Sequence, residues 1–194
     1  GEGETVVDLG SGGGKICYIL AQKVGPGGRV IGVDFNDAML QLARKYETEM
    51  TMKLGYDNVR FVKAKIQDME LDLDAVQSQL EAYPIRSVGD LAEFNALCTR
   101  MRSEAPAVAP NSVDVVVSNC VLNLVRSEEK RQLFAEIFRV LKRGGRAVIS
   151  DIVCDETPTE AIKNDPNLWS GCIAGAFTET GLLDALPAGG PRLV

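Results

Sequence analysis

The residues of this chain best suited to chemistry are its cysteines. They stand at positions 17, 98, 120, 154 and 172, and no two of them form a Cys-x-x-Cys pair. This wide spacing disfavours a compact disulfide framework and a structural zinc site, so reduced thiols are expected. The chain has no histidine. A reaction that needs an imidazole base is therefore excluded from this chain, which leaves carboxylates, thiolates or a cofactor to carry any chemistry.

A glycine-rich turn lies just before the first cysteine. The segment Asp8-Leu9-Gly10-Ser11-Gly12-Gly13-Gly14 follows an apolar run and leads directly into Lys15-Ile16-Cys17. Glycines in such a turn let the backbone bend sharply and let a bulky ligand approach main-chain N–H groups. The next apolar run, 29–33, ends in Asp34, where a carboxylate can accept both hydroxyls of a ribose. Turn and acid together predict a nucleoside cofactor beside a soft nucleophile.

Two phosphate-binding motifs do not fit this turn. The dinucleotide fingerprint needs a third small residue at the place of Lys15, whose side chain would obstruct close packing of helix on strand. A P-loop needs Ser or Thr where the chain has Ile16, and glycine where it has Leu9. The Gly-x-Gly-x-Gly spacing therefore indicates a ligand other than a dinucleotide.

Strands and helices alternate along most of the chain. Apolar runs predict strands near 4–9, 29–33, 58–62, 112–118 and 146–152, and helical periodicity predicts helices over about 14–24, 37–54 and 127–142, the last ending at Gly144-Gly145. This alternation is typical of a doubly wound α/β fold with a mainly parallel sheet and helices on both faces. The strand order 3-2-1-4-5 would make the first and fourth strands neighbours.

A helical segment interrupts the alternation over 70–110. Apolar residues at 73, 76, 80 and 83 repeat at helical spacing before Pro84, and a second repeat spans 88–101. We expect a helical hairpin inserted between the third and fourth strands of a single, partial domain over 1–194, placed where it can cover the active site. The tail 186–191 is typical of a flexible terminus, with nothing left to build strands beyond the fifth, so the chain is expected to be a fragment.

Three of the cysteines are predicted to converge. Cys17 follows the glycine turn, Cys120 follows the fourth strand, and Cys172 lies after the fifth strand, where it can close over the same crevice. Three thiolates around a cavity suit a soft, thiophilic ion. Taken singly, a cysteine is more often a small buried hydrophobe than a functional thiol, and this is the interpretation kept for Cys98 and Cys154.

Composition limits the partners. The chain has 194 residues, 45% of them hydrophobic and 25% charged, and its net charge of −6 gives no attraction for nucleic acid or an anionic membrane. No apolar run approaches the roughly 20 residues of a membrane span, and no signal peptide precedes the first strand. We expect a cytoplasmic protein with no nucleic-acid or membrane partner.

Several motifs resemble those of a known superfamily. VVDLGSGGG at 6–14, VIGVDF at 30–35 and VLKRGGRAVISD at 140–151 are similar to the motifs of class I S-adenosylmethionine-dependent methyltransferases, which have a Rossmann-like fold. GGGKICYIL at 12–20, SNCVLNL at 118–124 and DPNLWSGCIAGAF at 165–177 resemble the three cysteine contexts of the arsenite methyltransferases. The resemblance covers roughly 4–69 and 111–178.

The resemblance implies a function and a set of site residues. Cys120 and Cys172 would hold trivalent arsenic, as arsenite or methylarsenite, with Cys17 as a third thiol for binding or for the redox steps. S-adenosyl-L-methionine would be the cofactor, and a thiol reductant such as thioredoxin or glutathione would be a partner in arsenic detoxification. The residues implied to bind the cofactor are Asp8, Gly10, Ser11, Gly12, Asp34, Phe35, Ile66, Gln67 and Asn119.

The chain departs from the family pattern in places. Gln67 stands where the family often has Glu, Arg143 replaces a common proline, and the insertion at 70–110 is long. Two alternatives stay open: a methyltransferase for a quinone or another small metabolite that carries buried cysteines, and a non-catalytic thiol-based metalloid binder. Asn119 is also consistent with a simple turn former, and Trp169 with a core anchor.

Overall fold

The computed structural model describes residues 1–184 and 192–193 of the chain. The strands are β1 (Thr5–Leu9), β2 (Arg29–Asp34), β3 (Val59–Lys63), β4 (Val113–Asn119), β5 (Leu141–Ser150), β6 (Val153–Cys154), β7 (Phe177–Thr178) and β8 (Arg192–Leu193). The helices are α1 (Lys15–Val24), α2 (Asp37–Lys45), α3 (Glu47–Leu54), α4 (Leu73–Ala82), α5 (Val88–Glu104), α6 (Lys130–Val140), α7 (Glu160–Lys163), α8 (Pro166–Ser170) and α9 (Glu179–Asp184).

The main sheet confirms the predicted strand order. Its strands run β3-β2-β1-β4-β5-β8, and every pairing is parallel. Asp8 on β1 is in register with Gly32 on β2 and with Val117 on β4. The loops after β1, β2 and β4 therefore leave the sheet at one edge, where ligands of doubly wound sheets bind.

Both faces of the sheet are covered by helices. Val6 belongs to a core cluster with residues of α1 and α2, whereas its neighbour Val7 belongs to a second cluster with residues of α6. Successive residues of a strand point to opposite faces, so this split is the expected sign of a sheet buried on both sides.

Two predicted helix boundaries were wrong. The helix over 37–54 is divided at Tyr46 into α2 and α3, a break for which the apolar spacing carries no signal. The helix predicted to end at Gly144-Gly145 ends at Val140, and Leu141 already pairs with Val113. Gly144, at φ +85°, instead lies where the register between β4 and β5 shifts. The glycines form an irregularity in the strand and do not cap the helix.

Short strands follow the fifth, which corrects the expectation that nothing remained to build them. Arg192–Leu193 pairs with β5 as an added edge strand, and β6 pairs with β7 in a separate two-stranded sheet. The predicted flexible tail at 186–191 lies outside the described residues. Within the described ranges, no helix is long and apolar enough to cross a membrane.

Two helices, α4 and α5, lie between β3 and β4. Pro84 stands in the connection between them, and Ser87 caps α5 by accepting a hydrogen bond from the Asp90 amide at 3.1 Å. Arg102 of α5 forms a two-pronged ion pair with Asp68, whose closest contact is 2.8 Å. Cys98 is the buried residue of α5, as its apolar stripe predicted. The ion pair attaches this helix to the loop that follows β3.

Candidate functional site

The glycine turn has the backbone that its sequence predicted. Gly10, Gly12 and Gly14 all have positive φ angles, at +66°, +51° and +82°. A Cβ at position 14 would lie 2.6 Å from the Phe61 ring, so this glycine is needed for close packing of α1 against the sheet. A Cβ at position 12 would meet no atom within 4 Å. The backbone at Gly12 thus borders open space in which a ligand can lie.

Asp34 is joined to this turn. Its carboxylate accepts a hydrogen bond from the Gly12 amide at 2.9 Å through Oδ2, and from the Asn36 amide at 2.8 Å through Oδ1. The side chain is half-buried, whereas the neighbouring Phe35 is 66% exposed. The acid is therefore held in place at the end of β2, next to an exposed aromatic side chain.

Asp8 is a buried carboxylic acid at the end of β1. Only 2% of its surface is exposed, and its hydrogen-bond partner among the described residues is the thiol of Cys17, which donates to Oδ2 at 3.3 Å. Burial raises the pKa of Asp8 to about 6, and the nearby Asp34 charge adds to the rise, while the bond from Cys17 opposes it. A positively charged ligand would stabilise the ionised form of Asp8.

The remaining cofactor candidates lie around the same edge in different states of exposure. Ser11 is buried, and its Oγ has no hydrogen-bond partner among the residues that the structure describes. Ile66 is buried in the core cluster that contains α6. Gln67 donates to Glu129 at 3.3 Å, and Asn119, the last residue of β4, is exposed.

Cys120 and Cys172 are brought together. The Sγ atom of Cys172 lies 3.0 Å from the carbonyl oxygen of Cys120. Cys120 is exposed at the end of β4, whereas Cys172 is 7% exposed. Burial raises the pKa of the Cys172 thiol, and the charges of Asp151 and Cys120 add to the rise. Both cysteines have left-handed backbone, with φ angles of +53° and +60°, a conformation that non-glycine residues adopt infrequently.

Cys17 is placed elsewhere. Its side chain is fully buried beneath α1 in the core cluster that includes Phe61, and burial raises the pKa of its thiol far above the usual range. In the part of the chain that the structure describes, no three Cys, Asp or Glu side chains form a group that could hold a metal ion. Cys154 is half-buried and donates to the Phe177 carbonyl at 3.3 Å. The structure therefore brings together two of the three predicted cysteines, with the Cys172 thiol against the main chain of Cys120.

One polar residue of the site, Asn123, did not stand out in the sequence. Asn123 is fully buried, and its amide donates to Asp151 at 2.8 Å and to the Cys172 carbonyl at 3.1 Å. The available signal was a polar residue between two leucines, three positions after a strand-end cysteine. Such a residue requires buried partners, although the sequence does not say which ones.

The strand order, the glycine turn and the acid at the end of β2 define a class I methyltransferase fold. The chain belongs to the family described as "Methyltransferase domain", whose pattern matches residues 1–94 and 91–189.

Within this family, the chain is similar to arsenite methyltransferases. It is 36% identical over 176 residues to the arsenite methyltransferase of Halobacterium salinarum, an alignment that covers 91% of this chain and 34% of that protein. It is 32% identical over 174 residues to the arsenite methyltransferase of Mus musculus, covering 89% of this chain and 37% of that protein. The chain thus spans little more than a third of the length of these two relatives.

The fold is also similar to that of a solved arsenic methyltransferase. The fold superposes on an arsenic(III) S-adenosylmethionine methyltransferase from Chlamydomonas reinhardtii with a TM-score of 0.69 and 29% sequence identity, covering 95% of this chain and 50% of that one. A ubiquinone/menaquinone biosynthesis C-methyltransferase of Legionella pneumophila is 31% identical over 91 residues, which is 47% of this chain and 35% of that protein.

S-adenosylmethionine is the cofactor of this fold class, and the site residues fit it. The cofactor carries a positive charge, and Asp8 is a buried acid without a cationic partner among the described residues. The orphaned hydroxyl of Ser11 and the open space at Gly12 lie in the same turn. A dinucleotide fits this turn less well than S-adenosylmethionine does, because Lys15 stands where the dinucleotide motif has its third small residue.

Proposed function

We propose that this chain carries the cofactor site and the substrate thiols of an arsenite methyltransferase, which transfers a methyl group from S-adenosylmethionine to trivalent arsenic bound by Cys120 and Cys172. One observation carries the proposal: two cysteines from distant parts of the chain lie together, with Cys172 Sγ 3.0 Å from the Cys120 carbonyl oxygen. They do so at the end of β4, the strand beside the glycine turn. Soft thiolates are the ligands that a thiophilic ion prefers.

The cofactor side of the site consists of the turn and two acids. Asp34 would accept the ribose hydroxyls, Asp8 would face the positive end of the cofactor, and the backbone of Gly12 would lie against it. Ile66 and Gln67 would flank the adenine, and Phe35, Ser11 and Asn119 would complete the pocket. When bound, S-adenosylmethionine supplies an electrophilic methyl group on a sulfonium.

The absence of histidine is consistent with this chemistry. Trivalent arsenic has a lone pair, so it accepts a methyl group without losing a proton, and no general base is required. The task left to the chain is to hold two soft centres in line at close range. Cys120 and Cys172 do this for the arsenic by occupying two of its ligand positions.

A thiol reductant completes the proposed cycle. Formation of the arsenic–carbon bond from the lone pair oxidises arsenic(III) to arsenic(V), and two thiols that form a disulfide return the two electrons. Thioredoxin or glutathione is the proposed source. Cys17 is proposed as the third thiol on the strength of the resemblance, and it would have to leave its buried bond to Asp8 to reach the substrate.

The test compares five single serine variants of the complete protein: those at Cys17, Cys98, Cys120, Cys154 and Cys172. Methyl transfer from labelled S-adenosylmethionine is measured on arsenite and on monomethylated arsenic. Cys120→Ser and Cys172→Ser are expected to lose activity on both substrates, because a hydroxyl is a hard and weak ligand for arsenic. Cys17→Ser is expected to lose turnover of arsenite and to retain some on monomethylated arsenic, which has one fewer site for a thiolate.

The other two cysteines serve as matched controls. Cys98→Ser and Cys154→Ser are expected to keep activity on both substrates, with a modest loss of stability at the buried position 98. Wild-type rates from Cys120→Ser or Cys172→Ser would reject the arsenic assignment. The quinone or small-metabolite methyltransferase would then be the better hypothesis, and binding of arsenic by the wild type without any turnover would favour the non-catalytic metalloid binder.

A further inference from the structure

Asn123 joins three segments that surround the two thiols. Its Nδ2 lies within hydrogen-bond distance of three acceptors: Asp151 Oδ1 at 2.8 Å, the Ile152 carbonyl at 2.7 Å and the Cys172 carbonyl at 3.1 Å. The amide has two hydrogens, so one of them is shared between two of these acceptors. Its backbone amide also donates to Asp151 Oδ2 at 3.2 Å. One fully buried side chain therefore connects the loop that carries Cys120, the end of β5 and the segment that carries Cys172.

The orientation of this amide is fixed by its surroundings. All three groups around Nδ2 are oxygen acceptors. A flipped amide would place its own oxygen against them and would lose every one of these bonds. The side-chain oxygen of Asn123, Oδ1, has no hydrogen-bond partner among the described residues. The side chain is consequently used as a donor, and a residue that only accepts cannot replace it.

The Cys172 segment has a second attachment, to the first residue of α6. Lys130 donates to the Gly175 carbonyl, and its Nζ lies 3.6 Å from the centre of the Phe177 ring. A Cβ at position 175 would overlap the backbone carbonyl of Asn123. The segment is thus held beside the thiol by Asn123 and farther along by Lys130, before its last residues pair with β6 as β7.

We propose that Asn123 is a positioning residue for the substrate: it sets the placement of Cys172 relative to Cys120, so that both thiols bind one arsenic atom. The inference rests on the proposed function, because it assumes that these two thiols share a ligand. The left-handed backbone of Cys172 is closed locally at the end of α8, where the Cys172 amide donates to Trp169 at 3.0 Å and the Ile173 amide donates to Leu168 at 2.9 Å. The bond from Asn123 to the Cys172 carbonyl ties this helix end to the loop that carries Cys120.

The experiment measures binding of phenylarsine oxide, whose arsenic bridges two thiols, to the 194-residue chain. Asn123→Ser is expected to bind this probe about a hundredfold more weakly than the wild type, because attachment through two thiols becomes attachment through one. Alkylation of Cys120 by iodoacetamide needs a single thiol and is expected to keep its wild-type rate. General unfolding would also expose the buried thiols of Cys17 and Cys98 to iodoacetamide, so these two thiols are expected to stay protected in Asn123→Ser.

Two further variants separate positioning from stability. Asn123→Asp combined with Asp151→Asn restores a complementary pair between positions 123 and 151, yet it leaves the Cys172 carbonyl without its donor. We expect the melting temperature to recover relative to Asn123→Asp alone while the probe affinity stays low. Lys130→Met is the matched control, since it removes the second attachment and leaves the bond from Asn123 intact. It is expected to be destabilised but to bind the probe within a few-fold of the wild type.

The outcomes distinguish the positioning role of Asn123 from the arsenic site itself. If Asn123→Ser binds phenylarsine oxide as the wild type does while Cys120→Ser and Cys172→Ser bind it weakly, the positioning role is wrong and the arsenic site stands. If Lys130→Met and Asn123→Ser lose the same affinity at equal melting temperature, Asn123 acts only through stability. If both cysteine variants bind the probe like the wild type, the arsenic site is wrong, and the positioning role is wrong with it.

Discussion

Gly10 of the cofactor turn lies directly against Val121, the residue that follows the thiol-bearing Cys120. A Cβ at position 10 would lie 3.0 Å from the Val121 Cβ and closer still to one of its methyl groups. Gly10 also has a positive φ of +66°. The glycine turn and the segment after β4 are thus in van der Waals contact at Gly10 and Val121.

The first prediction concerns this contact. Gly10→Ala is expected to destabilise the chain by about 2–4 kcal/mol, from left-handed strain together with overlap on Val121. It should also weaken binding of S-adenosylhomocysteine, because the turn must shift. Urea unfolding and calorimetry measure the two effects.

Gly12→Ala is the matched control for that substitution. It has similar strain, at φ +51°, but open space at its Cβ, so its loss of stability should be only about 1–2 kcal/mol. Val121→Ala in the Gly10→Ala background should recover part of the stability by making room. Equal losses from Gly10→Ala and Gly12→Ala, with no recovery in the double variant, would show that the contact with Val121 is unimportant.

The second prediction is a pH dependence set by Asp8. Its pKa is raised from an ordinary 3.8 to about 6 by burial, so the folded state holds the proton more tightly than the unfolded state. The stabilisation is fully present below about pH 4 and is lost as the pH rises through about 6. Asp8→Asn should therefore be more stable than the wild type above pH 6, by about 3 kcal/mol, and the difference should shrink towards pH 4. Urea unfolding of both proteins across pH 4–8 checks this.

Cofactor affinity is expected to rank the wild type and Asp8→Asn in the opposite order from stability. A cationic ligand stabilises ionised Asp8, so Asp8→Asn should bind S-adenosylmethionine more weakly than the wild type at pH 8, and the two should approach one another at pH 5. A difference in unfolding free energy that does not vary with pH would contradict the raised pKa. Equal cofactor affinities at pH 8 would remove Asp8 from the cofactor site.

The sequence was sufficient for those parts of the structure that depend on local pattern. The strands themselves and the position of Cys120 after β4 follow from buried apolar runs, whereas the strand order was assumed and agrees with the resemblance to class I methyltransferases. The end of α6 was misplaced because Gly144-Gly145 resembles a helix stop, and only pairing with β4 reveals the irregular strand. The role of Asn123 could not be predicted, since its acceptors lie 28 to 49 residues farther along the chain.

The burial of Cys17 could not be predicted from the sequence either. Its position after the glycine turn pointed to the crevice, yet its helical spacing with Leu20 and Val24 points equally well to the core. In the structure, a Cβ at Gly32 would lie 2.8 Å from its sulfur. Its burial is therefore set by the close approach of β2, a contact between elements that no local pattern encodes.

The third prediction concerns helix α5. Arg102 holds Asp68 through a two-pronged ion pair, next to the loop with Ile66 and Gln67. Its guanidinium is about a third exposed, so Arg102→Met should cost at most about 1 kcal/mol of stability. It should nevertheless weaken S-adenosylhomocysteine binding a few-fold if these two residues flank the adenine. Calorimetry and urea unfolding again measure the two quantities.

Lys53→Met provides the comparison for Arg102→Met. Lys53 pairs with Glu49 on the exposed surface of α3, so its loss should leave cofactor affinity unchanged. A cofactor affinity that is the same in Arg102→Met and in the wild type would show that α5 does not support the loop after β3.

The backbone at positions 120 and 172 bears on how relatives of this chain can diverge. Both cysteines occupy a left-handed conformation that glycine or asparagine adopts with less strain. The chain therefore keeps its thiols at places where folding alone would favour another residue. A lineage released from the need to bind a soft ion would be expected to drift towards glycine or asparagine at these two positions. Such a residue in a relative would record a change of substrate in a protein that folds as well as before, or better.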